Sequence, residues 1–551
     1  MVRHRKLGGT LAVSIALLFS GGAFAQDSGS SSGGGSSGSS SAGGSSASGT
    51  TAGSGDALSS GGGGGLSAFQ DLRFLPGLRV AQTFSDNILR RSDGNEKAGF
   101  VTEVSPYVHA SVNKARLQGD LRFSVRNFYR SETAPGADSL DLLRYALRAN
   151  GSARAPGDRY GIDASAFIQD IALSPFGVTS SDTASLQSNR RRYSGLEISP
   201  YLTGRLGSNA SYRADYSLRM NNVSGGNVLG LRADHRLNAS IGSGPRFSGW
   251  GWSLSGQANE REYKSGLTAG RTSAAANLWY ALNPELRLGV SANYMQIDRL
   301  NIDGKDYGVG PGVSVVWAPS SRTSLSAQWV DQFYGTNSSL SVSHSARRFN
   351  FGLAYSRGVV SGSDAALLLF NPSAGFGGSV IVPDRGPIVT SPALQELLES
   401  GDPVLAASLT TDVAVYQKRL TANVGYQLPR GALLLTVYRT TRDTAVRNTL
   451  GEIEFPEFTG SLQQRGVRLS LNTRLDMRSS LRFTVRRQDT ESATTDRTSR
   501  FTTMSASYIT NLTSDTSAGI GVRRSVQKVS GATGFSGYDE NAIFGSLDTR
   551  F

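Results

Sequence analysis

The sequence predicts an all-β protein: a single transmembrane antiparallel up-and-down β-barrel of about 22 strands (18–22), behind a disordered N-terminal tether. Three observations predict it. Apolar and polar residues alternate with a period of two over stretches of roughly 10 to 13 residues. Short polar breaks take turns with longer ones along the chain. The final stretch, "NAIFGSLDTRF", keeps the alternation going to Phe551, whereas soluble domains commonly end in frayed polar residues.

The first 25 residues have the layout of a signal peptide. Arg3, Arg5 and Lys6 form a basic leader, Leu11 to Phe19 a short apolar run, and Ala23 and Ala25 a cleavage site before Gln26. The alternative, a membrane anchor, requires a longer apolar run than this one. Residues 26–66 are almost wholly Ser, Gly, Ala and Thr. Such a tract cannot bury enough apolar surface to offset its ordering entropy, so it reads as a flexible linker. A plug or a peptidoglycan attachment is the functional alternative. Residues 67–551 form the barrel domain.

Within that domain, Leu286, Leu288, Val290, Ala292 and Tyr294 share one face, and Arg287, Gly289, Ser291 and Asn293 the other. Leu117, Leu121, Phe123 and Val125 likewise oppose Gln118, Asp120, Arg122, Ser124 and Arg126. Strands of this length exceed the five or so residues common in soluble sandwiches and match a tilted membrane crossing. Short turns fall at 113–115, 153–158, 204–208, 242–248, 283–285, 318–322, 428–431, 476–479 and 511–515. Longer connections fall near 85–99, 131–139, 172–190, 222–230, 262–270, 297–307, 335–345, 443–462, 489–499 and 527–540.

Parity then counts the strands. The alternation yields 21 clear strand patterns, but a barrel with both termini in the periplasm needs an even number. The order of short and long breaks slips within 358–415, so an extra strand is expected there, best at "DAALLLFNP", 364–372. Residues 373–415, with the helix-like "SPALQELLES", are expected to form an external loop or inward lid. Phe551 is expected to close the ring and to act as the signal read by barrel-assembly machinery. Trp250, Trp252, Tyr280, Trp317 and Tyr426, all near short turns, suit an interfacial girdle.

Chemistry is sparse. The chain has no cysteine, which excludes disulfides, thiolate metal sites, thiol nucleophiles and a lipidated cysteine. Of four histidines, His4 belongs to the leader, and His109, His235 and His344 fall on separate hairpins. No metal cluster, catalytic constellation or cofactor is expected, and an outer-membrane hydrolase is disfavoured. "GVGPG" near 308 lacks the strand–helix context of a phosphate loop.

The polar face of the strands is richer. Arg122, Arg126, Arg213, Arg219, Arg287, Arg468, Arg482, Arg486 and Arg523 should point into the lumen. Asp120, Asp163, Glu197 and Asp215 share that face and neutralise part of the charge. One reading is a pore lining that attracts anionic solutes or acidic polysaccharide. The other is pairing with lumenal carboxylates, or with lipopolysaccharide phosphates near the rim. Despite a net charge of +13, nucleic acid is not an expected partner, because the compartment is wrong and the charge is dispersed.

The segment 79–117 carries a resemblance. Ser85, Asp86, Asn87 and Ile88 form a turn after the opening strand, and a second strand ends in Ser105 and Pro106. The arrangement resembles β-barrel porin-like proteins of the proteobacterial outer membrane associated with PEP-CTERM and exopolysaccharide gene clusters. The Gly/Ser tract departs from a simple open porin. The resemblance implies envelope transport, with outer-membrane lipid, lipopolysaccharide, exopolysaccharide and periplasmic export components as partners. The expectation is therefore a Gram-negative outer-membrane channel or export conduit for exopolysaccharide or anionic solutes. The alternative is a loop-plugged scaffold barrel of an envelope polysaccharide system.

Overall fold

The computed structural model describes residues 72–551 apart from 93, 132–142, 173–175, 179–189, 224–230, 264–265, 267, 299–304, 361–414, 445–460, 493–495 and 532–536. The leader, the Gly/Ser tract and the expected strand at 364–372 lie outside the described residues. The first strands are β1 (Arg73–Ser85), β2 (Gly99–Asn113), β3 (Leu117–Arg130), β4 (Leu143–Arg154), β5 (Tyr160–Ala172), β6 (Arg190–Leu206) and β7 (Ala210–Val223). Then come β8 (Leu231–Ser243), β9 (Trp250–Tyr263), β10 (Thr268–Asn283), β11 (Leu286–Ile297), β12 (Tyr307–Ser320), β13 (Thr323–Gln332), β14 (Gly335–Ser345) and β15 (Phe349–Val360). The chain finishes with β16 (Val415–Leu428), β17 (Gly431–Thr444), β18 (Leu462–Arg474), β19 (Ser479–Ser492), β20 (Arg497–Asn511), β21 (Thr516–Ser530) and β22 (Tyr538–Arg550).

Each strand pairs antiparallel with its sequence neighbours, and β22 pairs with β1, so the sheet of 22 strands is closed. Closure leaves no sheet edge unpaired. At the seam Gly77 lies opposite Arg550 and Ser85 opposite Ala542, and the Phe551 N–H extends the ladder to the Pro76 carbonyl at 2.9 Å.

Alternation along each strand sorts the side chains. Leu254, Leu278, Val290, Val309, Val313, Ile520 and Ile543 stand exposed on the outer wall. A surface so apolar is what a lipid-facing wall requires. Aromatic Trp250, Tyr280, Trp317 and Tyr426 are exposed on it close to the short-turn rim, as expected, joined by Tyr160 and Phe349.

The strand count of 22 agrees with the sequence parity, but the extra strand is elsewhere. The stretch 335–345, expected as a long connection, is β14, paired with β13 over Gly335–His344 and with β15 over Ser338–Ser345. Its sequence, GTNSSLSVSHS, shows the wall only Leu340 and Val342 amid serines, so its period is faint. Moreover, β13 joins β14 through Phe333 and Tyr334 alone, a tight turn at the rim where every other connection is longer. Gly335 permits the reversal at φ +118°, a region closed to most side chains. Two aromatic residues carry none of the usual turn chemistry, and the signal was lost.

Candidate conduction site

The lumen is asymmetric. Toward the short-turn rim its side chains are open: Arg122, Arg213, Arg287 and Arg482 are exposed or nearly so. Toward the other rim the inward residues of β2 and β18 to β22 are buried, among them Val101, Glu103, Gln464, Gln488, Thr490, Phe501, Ser525 and Glu540. Three described pieces of the long-side connections reach into that mouth.

The first is the segment after β1. Ile88 packs on Val101 and Phe128 inside the ring. Arg90, in the left-handed region at φ 49°, lies over the Tyr538 ring and reaches Glu540 with Nε and Nη2, both at 2.9 Å. Glu540 also accepts from Ser85 Oγ at 3.0 Å and from Arg523 Nη2 at 3.0 Å. Asn87 Nδ2 donates to the carbonyls of Arg91 and Asp539, while Asp86 holds the Asn541 N–H and amide at 2.8 Å each. Ser85, Asp86 and Asn87, with Arg90, thus latch the first strand to the last.

A second clasp sits lower on the seam. Tyr107 of β2 crosses over Gly77 of β1 and donates to Asp548 of β22 at 2.7 Å. A Cβ at Gly77 would lie 2.3 Å from the Tyr107 ring, so glycine is required for the crossing.

The second piece is the described part of the β5–β6 connection. Phe176 is buried against Leu462 of β18, and Gln527 of β21 donates to the Gly177 carbonyl at 2.9 Å. In a ring of 22, β18 stands nearly opposite β5, so this segment crosses the mouth. The third is the β13–β14 turn, where Phe333 and Tyr334 pack on Met295 and Ile297.

The expected lumenal arginines fall into two groups. Arg122 meets Asp120 at 3.4 Å, Arg126 meets Glu103 at 3.8 Å, and Arg213 meets Asp215 at 3.4 Å. Arg219 is held between Glu197 at 3.0 Å and Asp234 at 3.3 Å, and Arg523 is held by Glu540. For these five, pairing with carboxylates is realised.

Arg468, Arg482 and Arg486 stand together on one face of β18 and β19. Arg468 lies directly across the β18–β19 ladder from Arg486, and Arg482 is on the same face four residues before it. Arg468 donates to Ser470 at 3.2 Å and Arg486 to Gln488, both neutral. Across the adjoining ladders stand Thr436, Asn472, Thr503 and Ser507, also neutral. Like charges placed opposite one another destabilise a sheet. The arrangement is therefore a cationic patch on the lumen wall, set among hydroxyl and amide groups that can share an anion's hydrogen bonds. Arg287 stands apart on β11, exposed near the short-turn rim.

Sequence reasoning missed Arg148, which faces Arg122 across the β3–β4 ladder, and the buried acids Glu103, Asp234 and Glu540. The alternation Tyr538, Glu540, Ala542 carried a signal for Glu540, and Phe176, the one aromatic residue of the connection after β5, carried one for that segment. His109 lies inside at 2.6 Å from Asp120, whereas His235 bonds Tyr216 and His344 bonds Thr323. Among the described residues no three His, Asp or Glu side chains gather to hold a metal ion.

No known protein family matches the chain, and no curated protein matches it. Solved structures do. A mutant of the ferric enterobactin receptor PfeA from Pseudomonas aeruginosa is similar over 86% of this chain and 80% of its own, with 12% identity and a TM-score of 0.46. The FrpB iron transporter from Neisseria meningitidis (F3-3 variant) is similar over 88% and 82%, with 10% identity and a TM-score of 0.48. The siderophore receptor PirA from Pseudomonas aeruginosa is similar over 86% and 80%, with 11% identity and a TM-score of 0.43. By its own register the chain is a closed antiparallel barrel of 22 strands, apolar outside and arginine-bearing within.

Proposed function

We propose that the protein is an outer-membrane conduit for anionic solutes, with acidic exopolysaccharide as its large substrate. The observation that carries this reading is the clustering of Arg468, Arg482 and Arg486 on one inward face, with Arg468 directly across the ladder from Arg486. A water-filled passage with low-dielectric walls strengthens the field of such a patch and raises the local anion concentration. The likeness of Ser85–Ile88 and Ser105–Pro106 to exopolysaccharide-associated barrels supports the choice of substrate class. In this reading the short turns face the periplasm, Phe551 serves barrel assembly, and periplasmic export components deliver the polymer.

A second reading has its own observation. The segment around Phe176 crosses the mouth and is tied to β18 and β21, which favours a loop-filled barrel that is closed at rest or serves as a scaffold.

Single-channel recording of the refolded mature protein in a planar bilayer tests both. The conduit reading expects anion-selective steps, and Arg482→Glu with Arg486→Glu should move the reversal potential in a salt gradient toward cation selectivity. The same reversal potential in parent and variant would remove the patch from the conduction path. A folded barrel that stays silent would favour the scaffold.

A further inference from the structure

The outer wall changes character on β17 to β21. Register places Arg439 beside Arg465, Arg465 beside Asp489, Asp489 beside Arg500, and Arg500 beside Lys528. These residues form one row across five strands, about 19 Å long at about 4.8 Å per strand. Arg487 joins it from two residues below Asp489 on the same face. Asp489 meets Arg500 Nε at 2.7 Å, Arg487 Nε at 3.4 Å and Arg465 Nε at 3.7 Å, and Glu491, two residues above it on the same face, meets Arg465 Nη2 at 3.5 Å, so two carboxylates face five cations. Asp489 is covered to 14% exposure, while each of these arginines keeps 54%. Positive charge is left pointing outward.

The row also has a defined height. On the same outer face, closer to the short turns, Val437, Val467 and Met504 stand exposed in the apolar belt. Cationic side chains on a lipid-facing wall are costly at mid-bilayer and tolerated at the interface. This row lies at that boundary, on the side of the long connections. Nor is it a general feature of the rim. On β8 and β9 the outer wall near the same rim carries His235 beside Glu260, then Glu262.

We propose that the row binds the phosphates of a multiply phosphorylated glycolipid headgroup, the lipid A of outer-leaflet lipopolysaccharide, with the acyl chains lying on the belt beneath. Guanidinium forks suit phosphate oxygens and keep their charge at any relevant pH. Several in one row match a headgroup with more than one phosphate, and the adjoining belt supplies what a soluble phosphate would lack. The inference rests on the membrane placement proposed above but not on conduction, so it can fail or stand whether or not the barrel passes ions.

The test is native mass spectrometry of the full mature chain in nonionic micelles, titrated with diphosphoryl lipid A, dephosphorylated lipid A and inorganic pyrophosphate. Folding of every variant is checked by its heat-modifiable gel shift. Diphosphoryl lipid A should bind the parent, and Arg465→Gln with Arg487→Gln and Arg500→Gln should weaken it at least tenfold. Glu260→Gln with Glu262→Gln should leave it unchanged. If the triple variant does not fold, Arg500→Gln alone should cost about threefold. Undiminished binding by a folded variant, equal binding of dephosphorylated lipid A, or pyrophosphate binding as tightly as lipid A would each overturn the proposal.

Discussion

Replacing Glu540 by Ala should destabilise the barrel more than almost any other single change at its seam. The carboxylate is 1% exposed and sits between the buried guanidiniums of Arg90 and Arg523, with Ser85 donating to it as well. Removing one partner of a buried ion pair costs about 3–5 kcal/mol, because charge is left behind in a low-dielectric site. Glu540→Gln keeps an acceptor but not the charge, so it should fall between parent and Ala. The neighbouring Asp539 provides an internal control on the opposite face. Its pair with Arg524 is as short, 2.8 Å, but the side chains are 40% and 60% exposed. Water screens such a pair, and Asp539→Ala should cost at most about 1 kcal/mol. The assay is urea unfolding of the refolded protein in lipid vesicles, followed by tryptophan fluorescence, with the heat-modifiable gel shift as a second readout. If Glu540→Ala unfolds within about 1 kcal/mol of Asp539→Ala, the idea that Glu540 locks the first strand to the last is wrong.

Other perturbations separate the remaining parts. Phe176→Ala should release the segment that crosses the mouth, raising unit conductance or open time in the planar bilayer while leaving the reversal potential in place; unchanged conductance would mean that this segment does not constrict the path. At the short-turn rim, Asp476 accepts from Ser479 Oγ and from the backbone N–H groups of Arg478 and Ser479, and these bonds hold its carboxyl below the usual carboxylate range. A depressed pKa stabilises the β18–β19 turn above the unfolded-state value, and this is lost as pH falls through the folded-state value. Asp476→Asn should therefore lower the urea midpoint at neutral pH and converge with the parent in strong acid. An equal gap at both pH values would refute the assignment.

Much of the wall was legible because a strand's facing is a local property. A period of two needs no partner to be read, so Leu286 to Tyr294 and the lumenal arginines could be sorted into faces from the chain alone. Parity supplied the even count of 22 without locating the extra strand. At β14 the local signal failed: its serine-rich pattern is weak, and an aromatic pair makes its turn. Pairing with β13 and β15 holds it in place, and that is a tertiary fact.

The lumen was legible only as a composition. The sequence by itself sorted nine arginines and four acids onto the inward face, without Arg148, Glu103, Asp234 and Glu540. Which arginines are neutralised depended on groups brought together by ring closure, as when Ser85, Arg90 and Arg523 converge on Glu540, 455 residues beyond Ser85. The same holds for Phe176, whose partners lie across the ring rather than along its own strands. Alternation is set by backbone geometry within a few residues, and the sequence records it directly. Charge compensation and contacts across the mouth are set by distances across the barrel, which exist only once β22 has met β1.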